Sequence, residues 1–291
     1  MDSSRAALRS LAGDDRVVAD VGRRARLELT FGYRGERTVL LHSYAEPPFR
    51  VGRVLPDGKG IHLILASSAP GIFGGDSLTQ TVVVEAGARV RLTSQSAPQI
   101  HANAAGALAT IASMYRVDSG GHLECEWDPT IPFPDAKLDQ KIVIDLAHEA
   151  TFLWSDALMA GREARGERWR FSQLGHELRL IRAGTLTYME RYSMTPATGS
   201  PGRRWVADEA CYVGTVLAAG GAVNRSLVRD VHEKLQARSG VRASADLVEE
   251  ELLLLRLVGS EGTAFHQARA LSTAALSTHS VRLQADRGKS G

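Results

Sequence analysis

Apolar and polar positions alternate over short stretches through the first two-thirds of the chain. In Thr79–Gln95 a β-branched run is interrupted at Gly87, after which Val90 and Leu92 alternate with Arg91 and Thr93. That period of two predicts a half-buried strand on either side of a glycine turn. Ala107–Val117 is a second such run, followed by the turn signal DSGG and then HLECEW. Lys141–Ala147 places Ile142, Ile144 and Leu146 on one face. Glu177–Tyr192 predicts a hairpin about Ala183–Gly184.

Three of these segments share one order of strand, small polar turn and strand: Val83–Leu92, Val117–Cys125 and Asp145–Trp154. Recurrence about every 30 residues predicts stacked β layers, because one such unit cannot bury its apolar face alone.

The last third changes period. In Asn224–Gly240, Leu227, Val231 and Leu235 recur at helical spacing, Asn224 or Ser226 can cap the start, and Gly240 can end it. Thr263–Leu276 predicts a second helix. Between them, DLVEEELLLLRLVG fits helix or strand by pattern alone, and its short end before Gly-Ser favours a buried strand. Met194–Trp205, with two prolines and two glycines, predicts a long surface loop. The expected class is therefore mainly β: a layered or helical β-sheet body with two α-helices near the C-terminus. We expect a flexible segment at 1–24, one domain over 25–280 and a flexible tail at 281–291.

Composition adds exclusions. The chain has 291 residues, 35 Lys plus Arg against 33 Asp plus Glu, and a net charge of +2. Such a balance calls for neither nucleic acid nor an anionic membrane. No apolar run approaches the roughly 20 residues of a bilayer span, and MDSSRAALRSLAGDD lacks a signal core. Cys125 and Cys211 stand far apart without a CxxC pattern, so neither a disulfide framework nor a zinc site is expected. The default location is cytoplasmic.

The segment Ala69–Leu78, APGIFGGDSL, has the glycines of a phosphate loop. A phosphate loop opens a helix, however, and here a strand follows, so the expectation is a sharp turn with Asp76 bonding its amides. There is no GxSxG elbow, and nine histidines lie singly, without HxH, HxxxH or HExxH spacing. The densest polar stretch is Phe152–Phe171, with Asp156, Arg162 and Glu167. Two carboxylates among arginines can serve a hydrolase, or an Asp–Arg pair can hold a turn. Glu190, flanked by aromatics, reads as a strand carboxylate facing solvent or a partner.

Taken in order, APGIFGGDSL, EAGARVRLTSQ (Glu85–Gln95), LWSDALMAGREARGERW (Leu153–Trp169) and YMERY (Tyr188–Tyr192) resemble the urease accessory protein UreD (UreH) family. The resemblance covers roughly residues 25–280. The chain departs from the family pattern at Ala97–Asn103, where Gln99, His101 and Ala102 stand in place of a basic and aromatic cluster, and at Pro129, where an acid is usual. It is similar to a divergent member.

The resemblance implies a non-enzymatic maturation factor that binds urease apoprotein and UreF, which recruits the GTPase UreG, for nickel insertion. It implies a hetero-oligomeric complex, dimeric through UreF, with no tightly bound cofactor and only transient Ni2+. The carboxylates it places on a nickel route are Asp76, Asp156, Glu167 and Glu190, and the structural or gating positions are Gly74, Gly75, Arg162 and Gly166. Two other readings are a β-rich hydrolase using Asp156 and Glu167, and a relative serving another partner system.

Overall fold

A computed structural model describes residues 22–196, 209–236 and 238–287, with side chains described through 277. The loop expected at Met194–Trp205 and the segment expected at 1–24 fall mostly outside those residues, as do the last four residues of the expected tail. In chain order the strands are β1 (Arg24–Arg34), β2 (Arg37–Ala45), β3 (Phe49–Asp57), β4 (Gly60–Ser67), β5 (Ile72–Phe73) and β6 (Ser77–Val84). There follow β7 (Arg89–Ser94), β8 (Gln99–His101), β9 (Ala109–Val117), β10 (His122–Glu126), β11 (Ile131–Pro132) and β12 (Lys137–Leu146). Then come β13 (Thr151–Met159), β14 (Gln173–Arg182), β15 (Thr185–Met194) and β16 (Tyr212–Ala219). Helix α1 (Arg225–Gln236), strands β17 (Val241–Glu249) and β18 (Leu252–Gly259) and helix α2 (Gly262–Arg287) follow.

The strands form a seven-stranded sheet (β15-β14-β12-β9-β6-β1-β2), an eight-stranded sheet (β17-β18-β16-β13-β10-β7-β4-β3) and a short third sheet (β11-β8-β5). From β4 to β14 each successive turn of the chain adds one parallel strand to each large sheet, and the first three turns also add one to the third sheet, so the body is a solenoid. The repeat seen in the sequence is this coil. Every coil places one apolar side chain in each of several inward columns. One column runs Leu63, Leu92, Cys125 and Trp154, all at most 2% exposed. Facing it, Leu29, Val82, Tyr115, Ile144 and Leu180 are in register in the seven-stranded sheet and equally buried. A lone strand–turn–strand would leave those faces wet; stacking buries them against both neighbours.

The β14–β15 hairpin turns at Ala183 (φ 47°) and Gly184 (φ 80°), the paired positive values of a type I′ turn. The ambiguous segment Asp246–Gly259 is a second hairpin, β17–β18. Its run of leucines is a strand because Leu252, Leu253, Leu255 and Leu257 are buried between the solenoid on one side and the helices on the other. In α1, Asn224 Oδ1 accepts from the Leu227 amide at 3.0 Å, and Leu227, Val228, Val231 and Leu235 are buried. Helix α2 packs Phe265, Ala268 and Leu276 onto the outer face of the eight-stranded sheet. Among the described residues, no helix is long and apolar enough to cross a membrane.

Candidate functional site

Side chains from both large sheets line a cavity of about 340 Å³. Its walls include Trp127, Asp128, Gln140, Asp156, His176, Glu190, Tyr192 and Arg256. A second cavity of about 220 Å³ shares Phe49, Ile72, Leu78, Gln80, Ser94, Pro98 and Trp127 with the first and reaches Pro48, Pro70 and Ala97. The two spaces therefore adjoin along one wall. Trp127 Nε1 is buried there without a protein acceptor and so offers a free donor.

Of the four acids singled out in the sequence, two line this space. Asp156 comes from β13 and Glu190 from β15, so the two belong to different sheets and meet only because the sheets are stacked. Burial pushes the Asp156 carboxyl up; His176 and Arg256 oppose this in part, and Glu190 adds to it. Glu190 faces the cavity and not bulk solvent, its side chain 11% exposed. Its partner is Arg256 of β18, with Nη1 donating to Oε1 at 2.8 Å and Nη2 to Oε2 at 2.6 Å. Arg256 also donates to Thr215 Oγ1 at 2.6 Å and to Tyr188 Oη at 3.0 Å. Burial and the Glu190 charge push the Tyr188 phenol up to about 12, so it remains a hydroxyl. His176 Nδ1 lies 3.2 Å from Gln140 Oε1, and its ring stacks on Tyr192.

The other two acids hold the scaffold. Asp76 is 2% exposed and accepts from the Arg23 guanidinium at 2.6 Å, the Arg23 amide at 2.8 Å and the Phe73 amide at 2.9 Å. Burial pushes its carboxyl up, but the hydrogen bonds from Arg23 and the Phe73 amide outweigh this and hold it low. The glycines ahead of it are forced. Gly75 has φ 93°, and a Cβ on Gly74 would stand 2.6 Å from the Ala107 carbonyl oxygen. Glu167 makes a two-armed pair with Arg162, at 2.6 and 2.7 Å, across a 3-10 turn that Gly166 ends at φ 69°. That hydrogen bond lowers the Glu167 carboxyl. The arginine pair read into Phe152–Phe171 thus belongs to Glu167 and not to Asp156, because β13 turns the Asp156 side chain toward the cavity.

Sequence reasoning missed how these two turns are joined. Phe73, His101 and Phe133 follow one per coil along the third face: Phe73 stacks on His101 with centroids 4.7 Å apart, and His101 meets Phe133 edge to face at 4.4 Å. Arg23 lies over Phe73 at 5.5 Å and Arg162 over Phe133 at 3.8 Å. Asp76 and Glu167 therefore anchor the two ends of one cation–aromatic column. The signal was present in the sequence: Phe73, His101 and Phe133 repeat at the coil spacing. Arg256 was also missed, since one arginine within a leucine strand carries no motif.

Among the described residues, no three His, Cys, Asp or Glu side chains converge as a metal cage, and Cys125 and Cys211 are buried free thiols. The hydrolase arrangement is not assembled: Asp156 lines the cavity, whereas Glu167 is clamped outside its lining.

The architecture defines a class: a β-solenoid body around an acid-lined internal cavity, with two helices near the C-terminus packed on its outer face. The family model for the UreD urease accessory protein matches residues 23–287, and the chain belongs to that family. It is 26% identical to a urease accessory protein UreD of Lysinibacillus sphaericus over 83% of this chain and 91% of the relative. It is 32% identical to one from an Anaeromyxobacter species over 72% and 71% of the two chains. Identity to a urease accessory protein UreD 1 of a Synechococcus species is 37%, over 50% and 55%.

Proposed function

We propose that this protein is a urease maturation factor that acts without catalysis of its own. In this reading it works in the cytoplasm with urease apoprotein, UreF and UreG, and its cavity passes nickel as cargo. The observation that carries the reading is the placement of Asp156 and Glu190 on one cavity wall system. Carboxylates with a histidine and a glutamine side chain nearby offer weak, exchangeable ligands. A cysteine–histidine cage would retain nickel, whereas spaced oxygen ligands let it move on. Asp76 and Glu167 act on the same route only indirectly, by holding the wall in shape.

The test is co-expression of urease subunits and the other accessory proteins with this chain, with the Asp156→Ala or Glu190→Ala variant, or without it. Urease-bound nickel and urease activity should fall together in both variants, while the variant protein accumulates folded. Full nickel loading with both variants would rule out the route through this cavity. Full loading without the chain would rule out the maturation role.

A further inference from the structure

The two cavity acids are not equally available. Arg256 occupies both oxygens of Glu190, at 2.8 and 2.6 Å, so no lone pair pointing along the fork is left for a second cation. The guanidinium comes from β18, bonds Thr215 of β16 and reaches Glu190 and Tyr188 of β15. It therefore ties the eight-stranded sheet to the last strand of the seven-stranded sheet across the cavity. The Arg256 side chain is 35% exposed against 11% for Glu190, so the arginine is the more accessible partner of the pair.

We propose that Arg256 gates the cavity: its pair with Glu190 is the closed state, and a divalent cation gains Glu190 only by displacing the guanidinium. The proposal rests on the reading of the cavity as a cation route. Arginine is suited to the task because it stays charged at every physiological pH and repels any cation approaching the same carboxylate. The hydroxyls of Thr215 and Tyr188, already bonded to Arg256, keep two acceptors on the guanidinium when Glu190 is released. The two guanidinium donors that Glu190 gives up turn to water, which a side chain 35% exposed can reach, so the movement need only be small. A singly charged ion has no charge advantage over the guanidinium it must replace; a dication does. The gate is therefore also a selectivity element.

The test is Ni2+ binding to the purified full-length protein by equilibrium dialysis, for wild type, Arg256→Gln, Asp156→Ala and the Glu190→Gln/Arg256→Gln double variant. Thermal melts check that each is folded. The gate predicts that Arg256→Gln binds Ni2+ about tenfold more tightly than wild type, and that the double variant loses the gain. Wild-type protein carries a second measurement that needs no variant: Ni2+ should speed modification of Arg256 by phenylglyoxal, read by mass spectrometry. If Asp156-dependent binding occurs but neither removal of Arg256 nor addition of Ni2+ changes these readouts, the gate is overturned and the cavity route stands. If no protein shows Asp156-dependent Ni2+ binding, the cavity route fails and the gate with it.

Discussion

Ser277 of α2 donates a 2.7 Å hydrogen bond to Glu124 Oε1 of β10, the same oxygen that lies 2.9 Å from His122 Nε2. Further along the same helix face, Thr273 donates to Glu126 Oε2 at 3.1 Å and Arg269 to the Trp127 carbonyl at 2.8 Å. Residues 269, 273 and 277 recur every four positions, so one stripe of α2 docks on the sheet through polar bonds while Phe265 and Ala268 dock through apolar ones.

This docking should weaken in acid. Burial pushes the Glu124 carboxyl up, yet hydrogen bonds from His122 and Ser277 and the Arg91 charge outweigh it, so the native value is low. A carboxyl lowered on folding adds stability that is complete above its unfolded value, about 4.3. That stability is lost as pH falls through the lower native value. Melting temperature should therefore drop on acidification below about pH 4.5, and Glu124→Gln should flatten the drop. Identical acid slopes for the two proteins would remove Glu124 as the source.

Asp156 should behave in the opposite sense. Its native carboxyl is raised by burial, so its ionised form costs stability once pH rises past the ordinary Asp value, about 3.9. Asp156→Asn is expected to melt at or above wild type at pH 8 and close to it at pH 4, while nickel loading of urease falls. A variant that melts well below wild type at pH 8 would reassign Asp156 to the scaffold.

Asp76 is expected to be structural. Asp76→Ala strands the two amide donors and the Arg23 guanidinium, at a cost of about 3 kcal/mol. Denaturant unfolding measures the loss directly. An unchanged unfolding midpoint with lost urease activation would instead make Asp76 part of the nickel route.

The aromatic column gives a prediction at its middle member, His101. His101 Nε2 is buried without a partner between two phenylalanines. His101→Phe keeps the stack and removes the orphaned atom, so it should be neutral or stabilising by about 1 kcal/mol. His101→Ala should cost about 2–3 kcal/mol by opening the column. The check is thermal and urea unfolding of both; equal losses would show that shape alone, and not the stack, holds this face.

The amino-acid sequence by itself determined the parts that depend on near neighbours along the chain. Period-two runs, the Gly87 and Gly184 turns, the Asn224 cap and the spacing of Leu227, Val231 and Leu235 each follow from local backbone and side-chain preferences. The 30-residue recurrence carried the stacked architecture as well, because every coil must bury the same columns. The run of leucines at Leu252–Leu255 could not be assigned by period, since burial on both faces erases alternation.

The site was legible only by family pattern, which named four acids without ranking them. Tertiary structure sorted them. Asp156 and Glu190 come to one cavity because β13 and β15 lie in different sheets that stack face to face. Asp76 and Glu167 are drawn instead to arginines at the two ends of the aromatic column. Nor could any local rule pair Arg256 with Glu190 across 66 residues. A carboxylate in a strand reads the same whether it meets water, a cavity or a guanidinium; the neighbouring strand decides which.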